Sequence, residues 1–465
     1  MQTDWIDDLI LAMPEDCRIS TAPDLIDRES RDETEDLIYE PEVVVEPANT
    51  FEVAALLKWA NLHKVPVTAS GARTGLSGGA LAVEGGIALS MRRMNSILEI
   101  DRDNHQVRVQ PGVIVQALQE EVAQVGLFYA VDPASRGTCT IGGNIAENSG
   151  GPRAVKYGVT KDWVLNLEVV LADGSVIKTG ANTLKNSTGY NLTQLLVGSE
   201  GTLGIVTEAT LKLMPLPTHQ ALMLVPFNSA RDACQAVAAI FQAGVQPSAL
   251  EFMERAAIEL AQTFTEDYSL KLDASTEAHL LIEVDAFRAE EIMPQVEAIL
   301  PVLEALGAGE PLFADDEASK DRLWFLRRRV GEAVKASSIY KEEDTVVPRA
   351  LLPDLLDKVK AIGAQFGFES VCYGHAGDGN LHVNILRGDL SEDAWKNELP
   401  VAIRSLFEAV VAMGGTLSGE HGIGYVQRSY MDVVFSERHL QLMRDVKTAF
   451  DPNGILNPGK IIPDE

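Results

Sequence analysis

"PVTASGARTGLSGGAL" (Pro66–Leu81) carries Gly71, Gly75, Gly78 and Gly79 within nine residues, directly after a short β-branched run. Glycines permit positive φ and close backbone approach, so successive N–H groups of such a loop can converge on one anion. A pyrophosphate suits it. The spacing fits neither GxGxxG opening a helix, with an acidic residue further on, nor GxxxxGK[ST], which excludes both the Rossmann fingerprint and the P-loop. Alone, such a cluster can equally be a set of tight turns.

Two further segments narrow the choice. "VDPASRGTCTIGGNIAENSGG" (Val131–Gly151) combines small residues with Gly142, Gly143 and the amides Asn144 and Asn148. Small residues leave room for a flat ring or a ribityl chain, and amides offer donors and acceptors to its polar edge. "LLVGSEGTLGIVTEATL" places Gly198, Gly201 and Gly204 before a strand. Three glycine-rich segments in one region are hard to explain by turns alone.

The chain around them is long enough for two or three packed units, at 465 residues with an apolar fraction of 46% and a mean hydropathy of +0.02. No apolar run reaches the ~20 residues of a membrane span. The opening "MQTDWIDDLILAMPEDCRIS" is acidic and lacks a basic n-region and a small-residue cleavage site. It does not read as a secretory signal, so a cytoplasmic location is expected. Acidic residues outnumber basic ones 68 to 39, a net charge of -29. That charge repels a phosphate backbone, which argues against nucleic acid as a partner; most of it is solvated surface. Cys17, Cys139, Cys234 and Cys372 form no CxxC pair, so neither a zinc ribbon nor an iron-sulfur cluster is indicated.

From about residue 38 to 217, β-branched runs such as "EVVVEP", "GIALSM" and "QVRVQPG" alternate with helical patterns. In "TFEVAALLKWANLHK", Thr50 is available as the N-cap. After Pro215 and Pro217 the pattern changes to longer helices and strands, and "ERHLQLMRDVKTAF" leads into a Pro/Asn/Gly-rich tail.

"YGHAGDGNLHVNI" (Tyr373–Ile385) sets His375 and His382 seven residues apart around Gly-Asp-Gly. On one uninterrupted strand they would face opposite sides. Read as strand, turn, strand, they converge, and Asn384 shares a face with His382. A lone histidine is commonly a hydrogen-bonded core residue, and "GDGN" can equally be a hairpin turn with incidental histidines.

The motifs "TGLSGGAL", "DPAS....TIGGNIAENSGG", "GSEGTLGIVTE", "GHAGDGNLH", "SGEHGIG" and "FDPNGILNPGK" stand in an order that resembles the FAD-linked oxidoreductases of the vanillyl-alcohol oxidase and p-cresol methylhydroxylase type. From about residue 38 to the end, the chain is similar to their branch acting on D-2-hydroxy acids: the FAD subunit of glycolate oxidase, D-lactate dehydrogenase and D-2-hydroxyglutarate dehydrogenase. The resemblance implies an α+β fold: a two-part FAD-binding domain plus an α+β substrate or cap domain with an antiparallel sheet. The expected division is an N-terminal helical segment at 1–37, the FAD domain at 38–217, the cap at 218–425 and a C-terminal segment at 426–465 that returns to the FAD domain.

The implied cofactor-binding residues are Ser70, Gly71, Ala72, Arg73, Thr74, Gly75, Leu76, Ser77, Pro133, Ser135, Gly142, Gly143, Asn144, Asn148, Gly204 and Ile205. Some relatives attach FAD covalently through a histidine in the first loop. Here that loop holds neither His nor Cys, so FAD is expected to be dissociable.

The implied reaction is oxidation of a hydroxy acid at C2, with hydride passing to flavin N5. A metal on the hydroxyl oxygen and a nearby base would remove its proton. His375, His382 and Glu420 of "SGEHGIG" form a ligand set suited to zinc or another divalent first-row metal, and His421 is the candidate base. A small anionic substrate needs a cation in this acidic protein. Arg327 of "WFLRRRVGEAVK", read as one helix, lies where relatives place a carboxylate-binding arginine. Lys341 matches a lysine of the D-2-hydroxyglutarate branch, and Asn384 also favours that branch. Gly331, where that branch carries threonine, and Gln427, where a lysine is common, depart from the pattern.

Two other classes stand against this reading: a metal-dependent hydrolase, which leaves the glycine-rich segments unexplained, and a non-catalytic flavin-binding subunit of a larger complex. Without an iron-sulfur motif, electrons would pass to a separate protein, a quinone or oxygen. A homodimer is among the assemblies the sequence allows.

Overall fold

The structure is a computed structural model that describes residues 4–464. Residues 1–3 of the expected N-terminal segment, and residue 465, lie outside the described residues. The chain divides into two compact units, one of Met1–Gly150, Gly158–Leu216 and Glu420–Glu465, the other of Gly151–Tyr157 and Pro217–Gly419. The division departs from the sequence expectation at Gly151–Tyr157, by one residue at Pro217, and at the C-terminal break. Gly151–Tyr157 belongs to the second unit, where Tyr157 Oη donates to Asp285 (2.7 Å), Lys156 pairs with the same carboxylate, and Arg153 lies 3.3 Å from Glu283. The C-terminal break falls at Glu420, because the Glu200 carboxylate of the first unit accepts from the N–H groups of Ile423 and Gly424, both at 2.8 Å.

The first unit contains two main sheets. One orders Arg18–Ser20, Val43–Glu46, Ile87–Ser90 and Val67–Ser70, with the last three strands parallel. Val43, Val45, Ile87 and Leu89 share a core with Val53, Leu56, Leu57 and Ala60 of the helix Thr50–His63. Val44 and Ala88, on the opposite face, are buried too, as expected of parallel strands covered on both sides. The helix is capped one residue earlier than the sequence suggested: Asn49 Oδ1 accepts from Glu52 N at 3.0 Å, and the Thr50 hydroxyl instead donates to Glu168 at 2.7 Å. The second sheet is antiparallel and orders Ile97–Asp101, Gln106–Val109, Ile205–Lys212, Val164–Val170 and Val176–Lys178. The chain's tail joins this unit at Val67, whose N–H donates to Ile455 O (2.8 Å) and whose carbonyl accepts from Asn457 N (2.9 Å).

The second unit is built on one antiparallel seven-stranded sheet. Its order is Leu312–Phe313, His219–Phe227, Ala278–Ala286, Ala249–Glu254, Glu369–Gly374, Asn380–Leu386 and Tyr340–Val346. Every residue of Ala278–Ala286 and Ala249–Glu254 is buried, so the carboxylates in these strands need internal partners. "WFLRRRVGEAVK" is two helices, Glu317–Arg328 and Val330–Ser337, parted at Arg329. Among the described residues, no helix is long and apolar enough to cross a membrane.

Candidate active site

A cavity in the first unit gathers all three glycine-rich segments. Ser70, Gly71, Ala72, Arg73, Thr74, Gly75 and Leu76 line it from the first, Pro133, Ser135, Gly142, Gly143 and Asn144 from the second, and Gly204 and Ile205 from the third. The second segment turns into the short helix Ile141–Glu147 at Thr140, whose hydroxyl accepts from Gly143 N at 3.3 Å. A Cβ on Gly71 would collide with that hydroxyl, so only glycine lets the first two segments meet. At Gly75 a Cβ would meet nothing within 4 Å. Its missing side chain therefore leaves open space in the cavity wall. Asn144 Nδ2 is buried there without a hydrogen-bond partner. An open backbone cradle beside an unsatisfied amide fits FAD.

Two of the expected residues do not line this cavity. Ser77 turns toward the C-terminal segment, where its carbonyl accepts from Tyr425 N (2.8 Å) and Val426 N (3.1 Å). Asn148 is the left-handed cap of Ile141–Glu147, with φ 56°, and its side chain accepts from Lys161 N at 2.9 Å. Conversely, Cys139, Glu147 and Glu200 line the cavity unforeseen, and so do Glu420 and His421. Burial pushes the Cys139 thiol up to about 11, with Asp132 adding to the rise. It is therefore a thiol and a poor nucleophile at neutral pH, which suits a dissociable flavin. Burial pushes the Glu200 carboxyl up to about 7 against the pull of the Ile423 and Gly424 amides. Burial and Glu200 hold Glu147 well above the usual carboxylate range.

In the second unit, the strands Glu369–Gly374 and Asn380–Leu386 pair antiparallel through a single turn at Ala376–Asp378. A Cβ at Gly374 would come 2.6 Å from Asn380 O, so the tight return requires glycine there. The turn brings His375 and His382 together, with ring centroids 5.4 Å apart and planes at 82°. Both are buried. Asn384 lies on the same strand face as His382 and is fully buried; its Nδ2 donates to Val371 O at 3.4 Å and its Oδ1 has no hydrogen-bond partner. Glu420 belongs to the first unit; the preceding residue, Gly419, donates its N–H to Asp344 Oδ2 at 2.8 Å within the second.

Arg327 is buried, its guanidinium 5.0 Å above the Tyr373 ring and its Nη2 2.7 Å from Glu251 Oε2. Both Glu251 oxygens lie 2.9 Å from His375 Nδ1. Burial alone would raise the Glu251 carboxyl, but His375 and Arg327 together hold it below its usual range. With Nδ1–H given to Glu251, His375 presents the Nε2 lone pair, the state a metal ligand needs. Two imidazoles of this kind fit zinc or a similar divalent ion.

Lys341 does not take the place expected of it. It pairs with Ile385, on the face opposite His382 and Asn384; Glu342 stands across from Asn384 and Asp344 across from His382. Glu342 Oε1 is 3.1 Å from His382 Nδ1. Of the residues near the histidines absent from the sequence expectation, Glu342 is accessible from strand phase. Glu251, 124 residues before His375, carried no local signal.

Residues 41–180 match the family described as FAD binding domain, and residues 216–461 match FAD linked oxidases, C-terminal domain. D-lactate dehydrogenase of Anaerostipes hadrus is 40% identical over 90% of this chain and 89% of its own. Glycolate oxidase subunit GlcD of Bacillus subtilis is 40% identical over 90% and 89%, and D-2-hydroxyglutarate dehydrogenase of Stutzerimonas stutzeri 34% identical over 98% of both. Among solved structures, p-cresol methylhydroxylase with substrate bound superposes with a TM-score of 0.80 at 17% identity, covering 99% of this chain and 97% of that one.

Proposed function

The chain belongs to the FAD-linked oxidases and dehydrogenases that act on hydroxy acids, and from that premise we propose that it oxidises a D-2-hydroxy acid to the 2-oxo acid with the help of a divalent metal. The observation that carries the finer reading is the convergence of His375 and His382 beside the buried Arg327. When bound, FAD supplies a hydride acceptor and the metal a Lewis acid for the substrate's hydroxyl oxygen. His375 and His382 would hold the metal through their ring nitrogens, with Glu420, on the sequence resemblance, as the carboxylate ligand. His421 accepts the hydroxyl proton, and Arg327 pairs with the C1 carboxylate. Asn384 offers its unsatisfied Oδ1 to the substrate. Electrons from the reduced cofactor would pass to a separate protein, a quinone or oxygen.

D-Lactate and glycolate fit better than D-2-hydroxyglutarate. The histidine face carries Glu342 and Asp344 in place of the expected lysine, so a second substrate carboxylate meets like charge. A metal-dependent hydrolase would leave the flavin cavity without a use. The metal role is tested by dialysing the flavoprotein against EDTA, then adding Zn²⁺, Mn²⁺ or Co²⁺ and following flavin reduction by D-lactate. The proposal expects reduction to slow by at least about 100-fold and to return with one equivalent of metal. Reduction at the original rate in metal-free protein would contradict it.

A further inference from the structure

Glu251 is a fully buried carboxylate in contact with both His375 and Arg327. It projects from the strand Ala249–Glu254, which pairs with Glu369–Gly374 at Phe252↔Gly374 and Met253↔Tyr373. An isolated carboxylate in such a place would be severely penalised, and sequences avoid one unless it is paired. Here each oxygen lies 2.9 Å from His375 Nδ1, and Oε2 also lies 2.7 Å from Arg327 Nη2. The imidazole and the guanidinium thus share a single anchor.

The geometry has two consequences. An imidazole that donates from Nδ1 is locked in the tautomer whose lone pair is on Nε2, and its ring cannot turn without breaking that bond. The Arg327 guanidinium is drawn to the same carboxylate by an ion pair, Nη2 to Glu251 Oε2. Arg327 Nε is buried without a hydrogen-bond partner, a donor left over after the internal pairing. It is available to an anion.

We propose that Glu251 is the positioning residue of the site, whose one carboxylate both orients His375 toward the metal and aims Arg327 at the substrate carboxylate. The inference rests on the metal and carboxylate reading given above. It differs from a purely structural role, in which Glu251 only neutralises a buried Arg327. A structural role would be relieved by removing the arginine as well, since a buried ion pair replaced by neutral groups of similar volume is often tolerated. A positioning role would not be, because His375 would still lack its partner.

The test uses full-length FAD-loaded protein with Glu251→Gln, and the double variant Glu251→Gln with Arg327→Met in case the single change misfolds. FAD retention reports that the first unit is intact. Zn²⁺ affinity is read by competition with a chromogenic chelator, and flavin reduction by D-lactate is resolved into a limiting rate and a half-saturation concentration. Glu251→Gln is expected to weaken Zn²⁺ binding by roughly 10- to 100-fold and to raise the half-saturation concentration for D-lactate. The double variant is expected to keep the weakened Zn²⁺ affinity. Wild-type affinity in folded Glu251→Gln, or its recovery in the double variant, overturns the inference alone. Wild-type protein that binds no Zn²⁺ overturns the metal reading and takes the inference with it.

Discussion

Glu342 stands directly opposite Asn384 across adjacent strands, with its carboxylate 3.1 Å from His382 Nδ1, while the neighbouring Lys341 pairs with Ile385 on the other face of the sheet. Strand phase therefore gives the histidine face an acid where a lysine was expected. At 4–6 Å and an effective dielectric of ~20, two like charges repel by about 3–4 kcal/mol before screening.

The first prediction concerns substrate choice. Glu342→Lys should raise kcat/KM for D-2-hydroxyglutarate relative to D-lactate by about 10-fold or more, the discounted equivalent of that repulsion. Lys341→Ala should change either value by less than about 2-fold, as expected of a side chain outside the site. Steady-state kinetics with both acids decides. A collapse in Lys341→Ala with no change in the ratio for Glu342→Lys would mean the strand phase does not govern selection.

A second prediction separates packing glycines from cofactor glycines. A Cβ at Gly142 would approach Pro111 Cβ to 2.6 Å, whereas at Gly75 it meets nothing within 4 Å. Gly142→Val should therefore destabilise the protein by ~1–3 kcal/mol through overpacking. Gly75→Val should leave the melting temperature of flavin-free protein nearly unchanged and weaken FAD binding at least about 10-fold, by filling the cradle. Calorimetry and fluorescence titration with FAD check the two halves.

The three glycine-rich segments were legible in the sequence because a cofactor cradle needs several glycines close together, and so was the histidine hairpin, whose turn is local. Phase and distance are not legible in that way. A slip of one residue along Tyr340–Val346 exchanges Lys341 for Glu342 on the site face, since side chains alternate with period two. Glu251 reaches His375 only through sheet pairing, and sequence periodicity carries no trace of that. Gly151–Tyr157 joined the second unit through contacts to Glu283 and Asp285, again at long range. At Asn49 and Thr50 two adjacent residues could both cap, and the contact of Thr50 with Glu168 decided between them.

Non-covalent attachment gives a third prediction. Cys139 lines the flavin cavity, but burial holds it as a thiol, pushed up to about 11. Acid precipitation should release all of the flavin to the supernatant. Flavin retained in the precipitate and lost in Cys139→Ser would show instead that this sulfur bonds the ring.

The fourth prediction is a pH dependence at His279, away from the site. Burial, with Arg255 adding, lowers this imidazole from 6.5 to about 4. The unfolded chain therefore binds a proton between those values that the folded chain does not. Stability from this group rises with pH across the window and is lost as pH falls through it. The total is at most about 3 kcal/mol. Urea denaturation at pH 7 and pH 4.5 should show a smaller loss for His279→Leu than for the parent protein. Equal losses would contradict the assignment.

Anaerobic titration of the purified, metal-replete flavoprotein tests the proposed oxidation most directly, with the visible flavin band followed as D-lactate, glycolate, D-2-hydroxyglutarate or L-lactate is added. Bleaching by a D-2-hydroxy acid or glycolate, with L-lactate inert and the matching 2-oxo acid formed in one equivalent, is the predicted result. A flavin that stays oxidised at saturating concentrations of every acid would contradict it.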